Sequence, residues 1–464
     1  MSLNSLFFVF LFLPAGWILQ RVTPEKAKNA VLLLLSAAFI TWGSPRDMLL
    51  ILCSALFNFF TALELTALQR GERNKHARLV FISGVTVNLL LLFFYKYTGF
   101  ALSVFGAGRS LTLPLAPVGI SFYTFSAVSF LTDVYRGDTP APKNFIDAAL
   151  YLTFFPKFIS GPIVKYADFE KELRGRVCSA ALTEAGVTRF TVGLAKKLVL
   201  ADSLAVSFNA ISALPTAELT VVHAWLGLFA YAFMLYFDFS GYSDMAVGLG
   251  NACGFHIDEN FDRPYTSVGI ADFWRRWHIT LGRWFRDYVY IPLGGSRQGK
   301  AKTVRNLAVV WLLTGLWHGA AWTFVAWGAY HLALLLLEKF VFAGLKKKLP
   351  KAVNVALTFL LVILGWTPFF SPSLSYTGMY LLRLVGVGGA GLVNGGAVYL
   401  LRGGAVWLAL AAVGSTPLPK ALGDRLKDKK AFIPLKVVLL LSLLALSLAA
   451  MISGTYQSFL YAQF

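Results

Sequence analysis

The sequence has 464 residues, of which 57% are hydrophobic and only 14% are charged, and its mean hydropathy is +0.64. A soluble domain carries about 25% charged residues, so this composition excludes an ordinary soluble protein and indicates one that crosses a membrane several times. The net charge of +19 does not indicate nucleic-acid binding, because the basic residues are spread over several loops. Such a distribution is typical of cytoplasmic loops that contact anionic membrane lipid.

Apolar segments recur along the whole chain. A transmembrane helix needs roughly 20 mostly apolar residues, and several segments are shorter or carry charges, which is typical of re-entrant or buried elements. The pattern predicts an all-α, polytopic membrane protein with about 11 transmembrane helices and further re-entrant or interfacial helices, in a single membrane-embedded domain over residues 1–464. The candidate segments begin near Leu6, Ala30, Met48, Leu79, Val118, Ala148, Val187, Val221, Leu307, Ala321, Val355, Tyr399 and Val437.

The first apolar segment has no basic residue before it in residues 1–4. A cleavable signal peptide would have a positive start, so we expect a retained helix with its N-terminus outside the cytoplasm. The loops at residues 21–28 and 70–78 are basic, and the loop between them at residues 43–47 is nearly neutral. This alternation places the basic loops in the cytoplasm.

In residues 154–163, two prolines and a glycine interrupt an apolar segment. Proline removes a backbone donor and breaks the helical ladder. Broken backbone at membrane depth is tolerated only where protein or a water-filled cavity supports it. We therefore predict a re-entrant or kinked element that lines a cavity.

Two carboxylates, Asp238 and Asp244, lie in an otherwise apolar segment. Acidic residues inside a membrane usually face a cavity and pair with another group. The candidate partners are a histidine, an arginine, or the lysines Lys196 and Lys197. The pattern fits a structural ion pair at least as well as catalysis.

Residues 251–305 form a long stretch that is both aromatic and basic. Within it, residues 273–290 have the i, i+3, i+4, i+7 spacing of an amphipathic helix. We expect this helix to lie in the bilayer interface, with His278 on its buried face. Its aromatic face includes Trp274 and Trp277, and its basic face includes Arg275, Arg276, Arg283 and Arg286.

His318 lies inside a segment apolar enough to cross a bilayer. An imidazole at that depth is costly unless it has a partner or a task, and imidazole is the side chain best suited to proton transfer near neutral pH. Gly315 and Gly319 permit close approach of a second backbone, so we expect a small apolar niche with Ala321 and Trp322 as helical neighbours. The spacing leaves two interpretations open: a base that meets a hydroxyl, or a structural histidine between helices.

His278 has three interpretations, since it could orient a substrate, bind a second proton or simply pack. The three cysteines show no metal or redox spacing, so we predict no metal site and no cysteine nucleophile. Walker, HExxH and GxSxG motifs are absent from the sequence, which leaves ATP-driven transport and the common hydrolase chemistries without support. The other histidines have no polar constellation around them in sequence, namely His76, His223, His256 and His331.

Taken together, these segments resemble the membrane-bound O-acyltransferase superfamily, and within it the bacterial AlgI-like branch of polysaccharide O-acetyltransferase membrane subunits. The resemblance is carried by a core of about residues 120–345, while residues 346–464 read as additional transmembrane helices. Lys157 stands where a neutral residue is expected. The matching segments are residues 154–163, 236–244, 260–265, 272–281, 286–295 and 314–320.

By this resemblance, His318 is the intramembrane catalytic histidine and His278 the second, more variable polar position. The implied fold surrounds a central tunnel in which a cytosolic donor meets an extracytoplasmic acceptor. Candidate contacts with substrate or tunnel are Asp238, Asp244, Asn260, Trp274, Trp277 and Trp317. Candidate contacts with the phosphates of the donor, or alternatively with lipid phosphates, are Arg275, Arg276 and Arg283.

The implied reaction moves an acetyl group from acetyl-CoA toward an exported polysaccharide such as alginate, with His318 as general base. The oxyanion would be stabilised by His278, Asn260 or a backbone amide. The resemblance further implies a multi-pass protein of the bacterial inner membrane, an extracytoplasmic acetyltransferase partner protein, and no permanently bound cofactor.

Two alternatives remain open from the sequence. The first is D-alanyl transfer from a carrier protein to teichoic acid, which belongs to the same superfamily. The second is a proton-coupled transporter or flippase with Asp238, Asp244 and His318 as proton relays, although the sequence shows no inverted repeat of the kind common in transporters.

Overall fold

The computed structural model describes residues 1–106, 114–429 and 432–453. Within these residues the regular structure is helical, apart from one isolated antiparallel bridge between Phe261 and Trp277. The predicted all-α fold is therefore confirmed.

The helices are mostly short, and several are interrupted. In chain order they are α1 (Leu13–Val22), α2 (Lys28–Thr41), α3 (Pro45–Arg70), α4 (Asn74–Leu92), α5 (Thr98–Val104), α6 (Ile120–Arg136), α7 (Phe145–Thr153), α8 (Phe155–Phe158), α9 (Tyr166–Glu170), α10 (Ala180–Ala195), α11 (Asp202–Ser212), α12 (Val221–Ala252), α13 (Ile270–Arg276), α14 (Ile279–Phe285), α15 (Lys300–His318), α16 (Trp322–Phe340), α17 (Ala343–Lys348), α18 (Lys351–Gly365), α19 (Thr367–Phe370), α20 (Leu374–Leu384), α21 (Gly395–Gly414), α22 (Leu418–Leu426) and α23 (Phe432–Ile452). Turns of π-helix cover Phe8–Phe12, Phe93–Tyr97, Lys196–Ala201 and Arg286–Tyr290, and 3₁₀ turns cover Glu25–Ala27, Thr216–Glu218 and Pro264–Thr266.

The chain divides into two compact units. One consists of Met1–Phe190 with Tyr242–Asp258, and the other of Thr191–Gly241 with Glu259–Phe464. Helices α10 and α12 each contribute residues to both units. The single membrane-embedded domain expected for the whole chain stays a prediction.

In the first unit, α6 is buried along almost its whole length and packs against α3, α4 and α7. A helix that is apolar on all faces is stable only inside a packed bundle. The predicted break follows at α7, which ends at Thr153, and Pro156 opens the four-residue helix α8. Lys157 in α8 is only 4% exposed and its ammonium group hydrogen bonds the Ser126 hydroxyl at 3.1 Å. The predicted kink is confirmed, while its lining of a cavity stays a prediction.

In the second unit, α15 and α16 pack against each other and are joined by residues 319–321 alone. Such a short connection makes antiparallel neighbours of two helices. Helices α13 and α18 also pack against α16, as does α19. This group of helices holds the site described below.

Six helices in the described part of the chain are long and apolar enough to cross a membrane. The multi-pass prediction is therefore supported, but the count of about 11 crossings is not confirmed. Several predicted segments fall on helices that are too short, such as α2, α6 and α7, or that begin with charged residues, such as α15. The six spans are Pro45–Arg70, Asn74–Val104, Val221–Ala252, Lys351–Phe370, Gly395–Gly414 and Phe432–Ile452.

Candidate active site

The predicted continuous helix over residues 273–290 is wrong, because the chain breaks at His278. Helix α13 ends at Arg276, Trp277 is extended, and His278 has the left-handed backbone conformation, with φ 47°. A left-handed conformation costs a non-glycine residue roughly 1–2 kcal/mol, so the surrounding structure has to hold it in place. The break places the residues that follow His278 on a separate helix, α14.

Backbone pairing with residues 260–262 holds this break. Phe261 bridges Trp277, and the Ile279 amide donates to the Asn260 carbonyl at 3.0 Å. These are long-range contacts, which a helical spacing pattern does not reveal. Trp277 and Trp284 are nevertheless buried, as predicted, while Trp274 is half-buried.

The side chain of Asn260 connects the two sides of the break. Its Oδ1 lies 3.1 Å from His278 Nδ1, and it accepts from the Thr280 hydroxyl at 2.9 Å and the Thr280 amide at 3.3 Å. The Thr280 amide can only donate, so Asn260 Oδ1 is an acceptor and His278 Nδ1 carries the proton. Asn260 thus fixes the tautomer of His278, with the lone pair on Nε2.

His278 is only 1% exposed and lies outside the six candidate spans. Its ring contacts Phe239 at 4.7 Å between ring centroids and Trp317 at 5.9 Å. Burial lowers the pKa of His278 to about 3, which makes this imidazole neutral at physiological pH.

His318 is the last residue of α15 and is 2% exposed. The helix stops there because Gly319 is extended, so Ala321 and Trp322 are not helical neighbours of His318, and Trp322 is 56% exposed. The predicted small niche is instead aromatic. The rings around His318 are Trp317 at 4.9 Å, Trp327 at 4.9 Å and Phe369 at 5.2 Å.

The close helix approach predicted from Gly315 and Gly319 is found at Gly315, where α15 crosses α16, whereas Gly319 lies beyond the end of α15. A methyl group on Gly315 would lie 2.5 Å from the Phe324 carbonyl oxygen, and one on Gly328 would lie 2.6 Å from the Trp311 carbonyl oxygen. Both contacts are with backbone atoms, which cannot move aside easily. Glycine at these positions therefore sets how closely the two helices pack around His318.

Trp317 connects the two predicted histidines, because its ring contacts both His278 and His318. Next to this group lies a cavity of about 220 Å³. His278, Trp274 and Trp277 line it, and their predicted contacts with substrate stay a prediction. The other lining residues are Leu281, Gly282, Phe285, Arg286, Tyr290, Leu307, Val310, Trp311 and Thr314.

The arginine that reaches this cavity is Arg286, which was not among the predicted donor contacts. All three of these arginines are paired with a carboxylate: Arg286 with Asp287 at 2.7 Å, and Arg275 and Arg276 with Asp272 at 3.3 Å and 3.2 Å. Burial alone would raise the pKa of Asp272, but the Val268 amide and these two guanidinium groups outweigh burial and hold that pKa below its usual value. The predicted phosphate contacts of Arg275, Arg276 and Arg283 stay a prediction.

The two carboxylates of α12 each form an ion pair with a basic residue. In the second unit, Asp238 lies 2.6 Å from the Lys197 ammonium, which also contacts Asp202 at 2.8 Å. In the first unit, Asp244 lies 2.7 Å from the Arg189 guanidinium. The lysine and arginine partners considered from the sequence are therefore the ones found, and this geometry fits the structural interpretation of both acids.

His331 has a setting that the sequence did not reveal. It lies on α16, fully buried, with the rings of Trp274, Trp311 and Trp327 around it. The sequence offers one signal of this aromatic setting: His331 follows Trp327 by four residues, which places both on the same helix face.

Comparison with known proteins agrees with this helical site. Residues 37–367 match MBOAT, the membrane-bound O-acyltransferase family. The chain belongs to that family, and the protein is an O-acyltransferase.

Several relatives extend the comparison over most of the chain. Probable alginate O-acetylase AlgI of Pseudomonas syringae pv. tomato is 42% identical over 386 residues, covering 82% of this chain and 74% of the relative. Peptidoglycan O-acetyltransferase of Helicobacter pylori is 34% identical over 430 residues, covering 84% and 81%. Teichoic acid D-alanyltransferase of Bacillus subtilis is 28% identical over 302 residues, covering 62% and 75%. The predicted resemblance to the AlgI-like branch of the family is confirmed.

Proposed function

We propose that this protein transfers an acetyl group from acetyl-CoA toward an exported polysaccharide, with His318 as the general base. The observation that carries this proposal is that the Trp317 ring contacts two buried histidines, His278 and His318, and that His278 lines a cavity. The names of the relatives, an alginate O-acetylase and a peptidoglycan O-acetyltransferase, support acetyl as the group and a polysaccharide as the acceptor.

In the proposed reaction, a sugar hydroxyl attacks the thioester carbonyl. His318 takes the hydroxyl proton, the carbon–sulfur bond breaks, and the departing thiolate receives that proton, so the products are an acetyl ester and CoA thiol. General-base catalysis of this kind contributes roughly 10²- to 10⁴-fold. The transient positive charge would form at the C-terminal end of α15, where the helix dipole stabilises a cation.

We assign His278 a role different from that of His318. Its neutral imidazole, with Nδ1 held by Asn260, presents a fixed lone pair on Nε2. A neutral, oriented imidazole suits an acceptor of a substrate hydrogen bond in a site closed to water. Asn260 then acts as the residue that orients His278, rather than as an oxyanion donor.

The cavity beside His278 suits the donor. Trp274, Trp277 and Trp311 give it an aromatic wall, and Arg286 supplies a cationic group at its edge. A guanidinium group can bind phosphate through two parallel hydrogen bonds. We therefore add Arg286 to the candidate contacts with the phosphates of acetyl-CoA.

The same proposal also implies a cellular location and a partner protein. We place the protein in the bacterial inner membrane with its N-terminus outside the cytoplasm, and we expect an extracytoplasmic acetyltransferase partner protein to complete delivery to the polymer. The transporter alternative used Asp238 and Asp244 as proton relays. Their ion pairs with Lys197 and Arg189 disfavour that role.

The test uses the full-length protein in lipid vesicles with a polysaccharide acceptor and the candidate partner protein. Release of CoA thiol from acetyl-CoA, with appearance of acetyl ester on the polymer, is the expected result. Turnover of a carrier-bound D-alanyl thioester without turnover of acetyl-CoA would instead establish the D-alanyl alternative. The variant that tests the general base is His318→Ala. Its control is His256→Ala, since the His256 side chain is 74% exposed.

A further inference from the structure

His331 is a buried polar residue to which the proposed chemistry gives no task. It is 0% exposed, and within the described part of the chain neither of its ring nitrogens has a hydrogen-bond partner. An imidazole buried in this way destabilises a fold relative to an apolar side chain of similar size. Packing alone therefore does not explain a histidine at this position.

Two neighbouring side chains share this property. The indole N–H groups of Trp274 and Trp327 are also buried without a hydrogen-bond partner in the described residues. Their rings lie 4.8 Å and 5.1 Å from the His331 ring, in edge-to-face orientation, and 5.6 Å from each other. Three rings that carry buried, unpartnered polar atoms are thus in mutual contact.

These residues connect the two parts of the site. Trp274 and Trp311 line the 220 Å³ cavity, and the Trp311 ring stacks on His331 at 5.6 Å. Trp327, which also contacts His331, packs against His318 at 4.9 Å. We call His331, Trp274, Trp311 and Trp327 the His331 cluster.

The fold makes specific room for this imidazole. Gly365, the last residue of α18, faces it, and a methyl group there would lie 2.9 Å from His331 Nε2. The imidazole therefore fits against α18 because residue 365 is glycine.

We propose that His331 is a positioning residue for acyl transfer, which binds one buried water together with the indole N–H groups of Trp274 and Trp327. The water accepts from both indole N–H groups and donates to one ring nitrogen of His331, in the way that buried waters commonly serve buried polar groups, and it fixes the two indoles in place. Trp274 then keeps the shape of the cavity wall, and Trp327 keeps the orientation of His318. This proposal rests on the proposed function, since it assigns His331 a part in that same reaction.

The test compares His331→Leu with His331→Gln, two side chains of similar volume that differ in hydrogen bonding. We expect His331→Leu to lower kcat for thiol release by about 10- to 100-fold, the effect of misplacing reactive groups by about 1 Å, with a smaller change in KM. His331→Gln, which can still bind the water, is expected to keep most of the activity. A pure packing role predicts the reverse order, since leucine suits an apolar site better, and that order would overturn the proposal.

Tyr330→Phe is the matched control. It removes a hydroxyl that hydrogen bonds the Leu361 carbonyl from the same helix, and it leaves the His331 cluster unchanged. A lower Tm with normal kcat is expected for this variant. If Tyr330→Phe lost as much kcat as His331→Leu, general loosening of α16 would explain both, and the proposal would fail.

An experimental map of the wild-type protein gives a readout that does not depend on activity. Density for a water within hydrogen-bond distance of His331 and both indoles is expected, and a well-ordered cluster without it would overturn the proposal even if neither variant folds. If wild-type protein released no CoA thiol while the water was present, the proposed donor would fail and the water site would stand. If the wild-type protein released thiol and His331→Leu released it at the same rate, the inference about His331 would fail while the proposed function would stand.

Discussion

The two histidines of the site are held in different ways. His318 ends a long helix, and its surroundings come from the packing of α15 against α16 and from the rings of Trp327 and Phe369. His278 stands between two short helices in a left-handed conformation, and the amide side chain of Asn260 lies within hydrogen-bond distance of its ring. One histidine depends on helix packing and the other on a hydrogen-bond network, so different substitutions should disturb them.

The largest expected difference is between the two histidines themselves. We expect His318→Ala to lower turnover by roughly 10²- to 10⁴-fold, because the base is lost. His278→Ala should cost less, about 2- to 10-fold, since it removes one neutral hydrogen bond worth about 0.5–1.5 kcal/mol. Initial rates of thiol release at equal amounts of folded protein test this order, with His256→Ala as control. If His278→Ala had the larger effect, the two assignments would be exchanged.

The hydrogen-bond network can be broken without touching a histidine. Asn260→Ala leaves buried donors of His278 and Thr280 without their acceptor, which costs about 1–3 kcal/mol and frees the His278 ring to rotate. We expect the activity of Asn260→Ala to fall to about the level of His278→Ala, and the double variant to be little worse than either single one. Additive losses would show that Asn260 acts separately from His278.

The helix packing can be broken in the same indirect way. A methyl group on Gly328 meets the Trp311 carbonyl oxygen at 2.6 Å, so Gly328→Ala should destabilise the protein by about 1–3 kcal/mol and lower activity through His318. The matched control is Gly403→Ala in α21, where a methyl group meets no atom within 4 Å and replacing glycine in a helix should stabilise by about 0.5–1 kcal/mol. Thermal unfolding of the two variants gives the comparison. Equal Tm shifts would contradict the close α15–α16 packing.

The smallest effect concerns pH. The pKa of Asp272 is held below its usual value when the protein is folded, so the stability that this carboxylate contributes is present above the unfolded value of about 3.9 and is lost as pH falls through the folded value. We expect Asp272→Asn to lower Tm at pH 7 and to remove part of the loss in Tm below about pH 4. Parallel pH curves for the variant and the wild type would show that the ion pairs with Arg275 and Arg276 contribute nothing.

Much of this site could be predicted from the sequence, because its signals are local. A histidine in an apolar segment, two glycines on one helix face and a row of tryptophans are all visible within one turn or two. The break at His278 could not be predicted, because it depends on pairing with residues 260–262, and helical spacing continues through it. The three-dimensional setting of His331 was missed for the same reason, since Trp274 and Trp311 reach it from other helices.

The same limit applies to what the sequence predicts about the fold. Composition was sufficient for the all-α membrane class, because hydropathy adds up over the whole chain. Composition was not sufficient for the number of crossings. The chain breaks at Phe154 between α7 and α8, two residues before Pro156, and α15 has three basic residues in its first six positions. Length and hydropathy alone do not distinguish these interrupted or partly charged helices from transmembrane helices.

The most direct test of the central claim is a single turnover of His318→Ala with acetyl-CoA in the presence of acceptor and partner, with donor binding measured separately. If His318 is the base, the variant should bind acetyl-CoA with an affinity close to that of the wild type and release almost no thiol on the time scale of one wild-type turnover. Thiol release at the wild-type rate by this folded, donor-bound variant would contradict the account and require another base.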